Sequence, residues 1–211
     1  MNGLRIGSFF SGVGGLELGL EWSGLGETVF QVEWDAFCQS VLRARWPGVP
    51  LFGDITTIHI EDLPDADVWC GGFPCQDVSK AGAGAGLEGE RSGLFYELAR
   101  LLREARTVGR APRILVLENV AAILDRGLDD VLATLASCGY DAEWDCIPAA
   151  AVGAPHERDR WFLVAYSNAD GDGCQPRRRI FQTGSVSLSL SEDSGESVLP
   201  TSLGCTRSVP A

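Results

Sequence analysis

The chain is predicted to fold as an α/β domain, a doubly wound and mostly parallel sheet with helices on both faces. Three observations predict it. Short apolar runs alternate with amphipathic stretches from residue 4 to residue 166. The first run ends in a glycine-rich loop, Ser11-Gly12-Val13-Gly14-Gly15, that opens a helix. A later run, Ala66 to Cys70, stops at Gly71-Gly72-Phe73-Pro74-Cys75-Gln76, as a buried strand ending in an abrupt loop does.

Each element follows from its residues. Leu4 to Phe10 is a short apolar strand, and Leu16 to Trp22 the helix after it. Thr28 to Glu33 is a second strand, and Ala36 to Trp46 a helix with apolar spacing, stopped by Pro47. Leu51 to Asp54 is a brief third strand and Val68 to Gly71 a fourth. Gly82 to Gly93 is a glycine-rich loop, and Leu94 to Ala105 an amphipathic helix. Ile114 to Glu118 is a buried strand, Leu128 to Ser137 a helix, and Tyr140 to Ile147 and Trp161 to Tyr166 two further strands. After Tyr166 periodicity fades and Ser, Gly, Thr and Pro accumulate. The expectation is therefore one folded domain, residues 1–166, and a linker or disordered tail, residues 167–211.

Composition narrows the class. At 211 residues, 45% of them hydrophobic, the chain can bury a full core. No apolar stretch has membrane-spanning length and the start lacks a signal-peptide pattern, so a soluble cytoplasmic protein is expected. Seven cysteines, an odd number without a CxxC pair, support neither a disulfide framework nor a zinc cluster. With two histidines in the whole chain, no metal site is expected. The formal net charge of −12, taken alone, speaks against a nucleic-acid partner. Against it stands a basic stretch, Arg158, Arg160, Arg177, Arg178 and Arg179, whose bland reading is a solvated loop.

Three groups of residues carry chemistry. Cys75 follows a strand at the sheet's carboxyl edge, where open α/β folds bind ligands, and a displayed thiolate suits covalent catalysis. The alternative is a small buried residue. The glycine loop lets a ligand approach the backbone near free N–H groups. Counted from Gly12, the third glycine of a dinucleotide fingerprint would fall on Glu17, which argues against a pyrophosphate. Glu33 suits ribose hydroxyls, Trp34 an adenine ring, and Asp54 the same base, unless the two acids merely cap helices. Glu118 ends an apolar strand, where partial burial raises a carboxyl pKa and suits it to donate a proton. The alternative is an incidental acid beside an Asn119 helix cap. In an extended segment His156, Arg158 and Arg160 share one side, and paired guanidiniums suit a base carbonyl or a phosphate. Surface ion pairs with Glu157 and Asp159 are the competing reading.

These pieces, in this order, resemble the DNA (cytosine-5)-methyltransferase family over residues 4–166. Phe10-Ser11-Gly12-Val13-Gly14-Gly15 resembles its S-adenosylmethionine motif, and Glu33-Trp34 and Gly53-Asp54-Ile55 its next two cofactor segments. Gly72-Phe73-Pro74-Cys75-Gln76 is similar to the catalytic loop, Arg91-Ser92-Gly93-Leu94-Phe95 to the segment after it, and Glu118-Asn119-Val120 to the Glu-Asn-Val motif. His156-Glu157-Arg158-Asp159-Arg160 resembles a Gln-x-Arg-x-Arg motif with His in place of Gln.

The resemblance implies a Rossmann-like fold and S-adenosyl-L-methionine as methyl donor. It implies double-stranded DNA as partner, in a restriction-modification or phage modification setting. The target cytosine is flipped into the pocket. Cys75 attacks C6, Glu118 hydrogen-bonds or protonates N3, C5 takes the methyl, and Arg158 and Arg160 hold the ring or its phosphate. Phe10, Ser11, Gly12, Val13, Gly15, Glu33, Trp34, Asp54, Ile55, Pro74 and Leu94 would line the cofactor pocket. The family's target-recognition region and its two C-terminal motifs are not found in Ser167 to Ala211. A chain truncated before them is expected, which also accounts for its acidity. A second subunit or downstream segment would then complete it. A non-catalytic remnant, one half of a split enzyme, and a transfer-RNA methyltransferase are the alternatives.

Overall fold

The computed structural model describes residues 3–74, 93–125, 127–168 and 184–186. Five strands run parallel: β1 (Leu4–Phe9), β2 (Gly26–Val32), β3 (Leu51–Phe52), β4 (Val68–Gly72) and β5 (Ile114–Val120). Three further strands, β6 (Tyr140–Pro148), β7 (Asp159–Ser167) and β8 (Gly184–Val186), extend the sheet with antiparallel pairings. The sheet order is β3-β2-β1-β4-β5-β7-β6-β8. The helices are α1 (Gly15–Trp22), α2 (Ala36–Arg45), α3 (Leu94–Thr107) and α4 (Leu128–Ser137). This is the expected doubly wound α/β architecture. No described helix is long and apolar enough to cross a membrane.

The order matters for the site. From β1 the chain moves outward to β3, then returns to place β4 on the other side of β1. The carboxyl ends of β1 and β4 therefore flank a switch point, where a crevice opens in folds of this kind. Phe10 and Phe73 leave those two ends.

Strand alternation sorts the core onto two faces. Trp69, Leu115, Leu117, Trp161 and Leu163 belong to the larger core, with Leu98, Leu101 and Leu102 of α3 and Val131 and Leu135 of α4. Their neighbours Val68 and Cys70 join Ile6 on the other face, packed against Leu16 and Leu20 of α1. The link from β3 to β4 is carried by two short 3-10 turns, Ile55–Thr57 and Ile60–Asp62. Two arginines tie it down. Arg100 of α3 donates to the carbonyls of Ile55 and Ile58, at 3.2 and 2.9 Å. Arg110 donates to those of Ile60 and Leu63, at 2.8 and 2.5 Å.

Most boundaries shift by one or two residues from the sequence reading, and two of the shifts bear on the site. The fifth strand was expected to end at Glu118, but β5 continues to Val120 because Glu118, Asn119 and Val120 pair with Phe162, Trp161 and Arg160 of antiparallel β7. The last strand begins at Asp159, earlier than Trp161, for the same reason. Gly184–Val186, in a segment without periodicity, pairs with Ala142, Glu143 and Trp144.

Candidate active site

The glycine loop after β1 is a built structure. Phe10 is the one described non-glycine residue with positive φ, at 53°, a conformation that costs energy and persists only where its surroundings enforce it. The enforcing bonds come next. Ser11 donates its N–H to the Val32 carbonyl at 3.1 Å, and Gly14 donates to the Ser11 carbonyl at 2.9 Å. Gly12 donates to Glu33 Oε2 at 2.7 Å, and the other Glu33 oxygen accepts from Asp35 N–H at 2.7 Å. Gly14 has φ of 86°, and a Cβ there would lie 2.3 Å from the Trp46 ring. Trp46 is itself fixed by its indole N–H, 3.1 Å from each Glu21 oxygen. The loop thus rests on an aromatic plate and is clasped by Glu33.

Glu33 and Asp54 have local duties. Glu33 clasps the loop, and Asp54 Oδ1 caps the first 3-10 turn by accepting from Thr56 N–H at 2.9 Å. A carboxylate oxygen accepts more than one hydrogen bond, so neither duty closes the group to a ligand. Trp34 is 75% exposed beside them, its ring face available for stacking, and Val13 is also exposed. Ile55 is buried in the larger core. Leu94 is partly buried against that core at the start of α3, and Pro74 is exposed.

The second half of the site forms where β4, β5 and β7 meet. Gly72 is the register partner of Glu118 across the parallel pair. A Cβ on Gly72 would stand 2.8 Å from Glu118 Oε2, so glycine leaves room for the carboxyl. Arg160 lies diagonally across the β5–β7 pair and its Nε contacts Glu118 Oε1 at 2.7 Å. Burial pushes the Glu118 carboxyl above its ordinary range, and the Arg158 charge opposes that shift. Both arginines therefore act on Glu118. The competing surface pairs with Glu157 and Asp159 are not what Arg160 makes: it touches Asp159 only at its carbonyl, at 3.3 Å. The extended segment expected from His156 onward starts instead at Asp159. Before it, Arg158 N–H turns back to His156 Nδ1 at 3.4 Å, and His156 is exposed.

Asn119 does not cap the turn that follows, whose N-cap is Val120. In the structure it is buried, and its amide donates to the Phe73 carbonyl at 2.9 Å. Its Oδ1 accepts from Val120 N–H at 2.8 Å. It thereby ties the strand that carries Glu118 to the peptide two residues before Cys75. Cys75 itself lies outside the described residues.

A cavity of about 480 Å³ joins the two halves. Phe10, Ser11 and Gly15 line it from the loop, and Glu118 from β5. Sequence reasoning missed Leu16, Gly19 and Leu20 of α1, Gly72, and Phe162 of β7, which also line it. The i, i+3, i+4 spacing of Leu16, Gly19 and Leu20 was the available signal. Gly12, Val13, Glu33, Trp34, Asp54, Ile55, Pro74, Leu94, Arg158 and Arg160 are not among its lining residues.

Comparisons with known proteins identify the family of the chain. The model of the family described as C-5 cytosine-specific DNA methylase matches residues 4–188. The type II methyltransferase M.NlaX of Neisseria lactamica is 36% identical over 129 residues, 59% of this chain and 40% of that protein. M1.ScrFI of Lactococcus lactis subsp. cremoris is 37% identical over 118 residues, 54% of this chain and 29% of that one. The chain thus spans well under half the length of these relatives. Among solved structures, the S. pombe Dnmt2 methyltransferase aligns with a TM-score of 0.66 at 21% identity, over 78% of this chain and 51% of that one. At that identity the likeness concerns the fold.

Proposed function

Because the chain belongs to the C-5 cytosine-specific DNA methylase family, we propose that it carries the catalytic half of a methyltransferase. The reaction is transfer of a methyl group from S-adenosyl-L-methionine to C5 of cytosine in double-stranded DNA. The observation that carries this reading is the pairing of Gly72 with Glu118, together with the Asn119 bond to the Phe73 carbonyl. These bring an acid of raised pKa to the strand end from which the Cys75 segment departs.

The residues fit the donor. The loop bends sharply between Phe10 and Gly14, Gly15 lines the cavity with open space where a side chain would stand, and Trp34 offers an exposed ring. Phe10, Ser11, Gly12, Val13 and Gly15 would hold its amino-acid end, and Glu33, Trp34, Asp54 and Ile55 its nucleoside, with Pro74 and Leu94 at the border. When bound, S-adenosylmethionine supplies an electrophilic methyl group.

The chain's own residues prepare the base. The Cys75 thiolate adds to C6 of a flipped cytosine, and the electron pair moves toward C5. Glu118 donates a proton or hydrogen bond at N3 and holds the charge that develops there. Arg160 faces Glu118 in the structure. When a base enters, Arg160 turns to the base and leaves Glu118 with a higher proton affinity, as an acid needs. Arg158 holds the ring or its phosphate. Loss of the C5 proton then expels Cys75.

The relatives are much longer than this chain. We therefore assign target recognition to a downstream segment or second subunit, in a cytoplasmic restriction-modification or phage modification system.

DNA bearing 5-fluorocytosine tests the mechanism, because C5 then has no proton to lose and the cysteine adduct persists. With the donor present and the relative's recognition half supplied as a second chain, a denaturant-stable protein–DNA adduct is expected for wild type and none for Cys75→Ala. An adduct of equal yield in Cys75→Ala would remove the nucleophile assignment. Its absence from wild type as well would overturn the covalent mechanism.

A further inference from the structure

Asp54, the acid assigned to the donor's nucleoside, stands where the sheet itself holds little. The strand before it, β3, is two residues long and pairs only with Gln31 and Val32 of β2, at the edge of the sheet. What fixes Asp54 is the 3-10 turn after it, Ile55–Thr57. Its Oδ1 accepts from Thr56 N–H at 2.9 Å. Its carbonyl accepts from Thr57 N–H at 3.1 Å and from the Thr57 hydroxyl at 2.9 Å. The carboxylate is thus sewn to the turn and moves with it.

That turn is held from α3. Arg100 Nη2 donates to the carbonyl of Ile55, directly after Asp54, and to that of Ile58, which closes the turn. Two acids of the same helix orient the guanidinium. Nε donates to Glu97 Oε2 at 2.7 Å and Nη1 to Glu104 Oε1 at 2.6 Å. The other Glu104 oxygen accepts from Ile60 N–H at 3.3 Å. One planar fork therefore meets four acceptors, the two carboxylates and the two carbonyls. A lysine, with three donors on one nitrogen, cannot meet them all. Arg110 makes a comparable grip further along the link, on the carbonyls of Ile60 and Leu63, with Asp65 as its acid. The two arginines are alike as braces and differ in what their turns carry, because only the turn under Arg100 carries a donor residue.

We propose that Arg100 is a positioning residue of the donor site, holding the Asp54 carboxylate toward the donor's nucleoside through the turn that it grips. This presupposes the donor reading of the site. Without Arg100 the turn keeps its own hydrogen bonds but loses its anchor on α3. Asp54 is then no longer placed in advance, and donor affinity falls.

Calorimetric titration with S-adenosylhomocysteine, beside melting curves of the same variants, tests this without requiring turnover. Arg100→Met keeps an unbranched stem and good helix propensity while removing every donor. Its dissociation constant is expected to rise about fivefold, the worth of one net hydrogen bond. Arg110→Met is expected to melt lower by a similar few degrees and to bind as wild type does. Asp54→Asn keeps an oxygen for the cap but loses the charge, and is expected to bind about tenfold more weakly. Adding Arg100→Met to Asp54→Asn is expected to weaken binding no further, where independent losses would multiply to about fiftyfold. Should Arg100→Met not fold, Arg100→Lys takes its place in the same cycle, with a smaller loss. Equal affinity in Arg100→Met and Arg110→Met, or losses that multiply in the double variant, overturns the inference. Wild-type affinity in Asp54→Asn overturns it too, and leaves the donor reading standing. Wild type that binds no S-adenosylhomocysteine overturns the donor reading, and the inference falls with it.

Discussion

The glycine loop and the β5–β7 rim open onto the same cavity but are held in different ways. At the loop, backbone groups are fixed from several sides: Glu33 takes the Gly12 N–H, the Val32 carbonyl takes that of Ser11, and the Trp46 ring fills the space beside Gly14. At the rim, charged side chains hold one another. Glu118 and Arg160 are in contact at 2.7 Å, with side chains 27% and 23% exposed. A pair this open to water contributes little to stability and exchanges partners at low cost. One half of the site is thus set before a ligand arrives, and the other is charge held in reserve for one.

That contrast makes graded predictions. The largest effect belongs at the rim. Glu118→Gln is expected to lower kcat by about 10²- to 10⁴-fold, the range for loss of a general acid. Its affinity for the donor should stay within a factor of two or so. A matching loss of donor affinity would mean that the two halves are not separable. Asn119→Ala comes next. Without its bond to the Phe73 carbonyl the catalytic loop is misplaced, and a fall in kcat of about 10²-fold is expected with little change in donor KM. A selective rise in KM would assign Asn119 to the donor half.

At the loop the expected effects are on stability. Gly14→Ala puts a side chain at positive φ and against the Trp46 ring. A loss of about 1–3 kcal/mol is expected, read as a drop of several degrees in melting temperature. An unchanged transition would mean that Trp46 yields freely. The smallest effect is that of Glu17. Its folded-state pKa is raised, so its contribution to stability is complete below the unfolded-state pKa and declines as pH rises through the folded one. Glu17→Gln should therefore match wild type near about pH 4 and melt a few degrees higher near about pH 8. A gain of equal size at both pH values would show packing, not charge, at work.

Much of this was legible in the sequence. Strand and helix alternation located most elements because β4 and β5 are apolar runs and α3 is strongly one-sided. The Ser11–Gly15 loop and Glu118 were named from local pattern and Phe10 from the family resemblance, and Phe10, Ser11, Gly15 and Glu118 do meet at one cavity. What escaped was whatever depends on register. Nothing in Glu118-Asn119-Val120 reveals that β7 runs antiparallel beside it and carries Arg160 to the acid. Nor does it reveal that Asn119 reaches Phe73 at the end of the neighbouring β4. Glu17 drew notice only as a residue that spoils a dinucleotide fingerprint. Its burial beneath the loop follows from how α1 packs on β1 and β2, which no local pattern states.

Equilibrium dialysis of the chain against labelled S-adenosylmethionine, with Glu33→Ala in a parallel cell, tests most directly whether the donor half is complete within these residues. Binding of one donor per chain is expected for wild type, weakened at least about tenfold in Glu33→Ala, where the Gly12 N–H loses its charged acceptor. Failure of the wild-type chain to retain label would contradict a donor half that is set in advance.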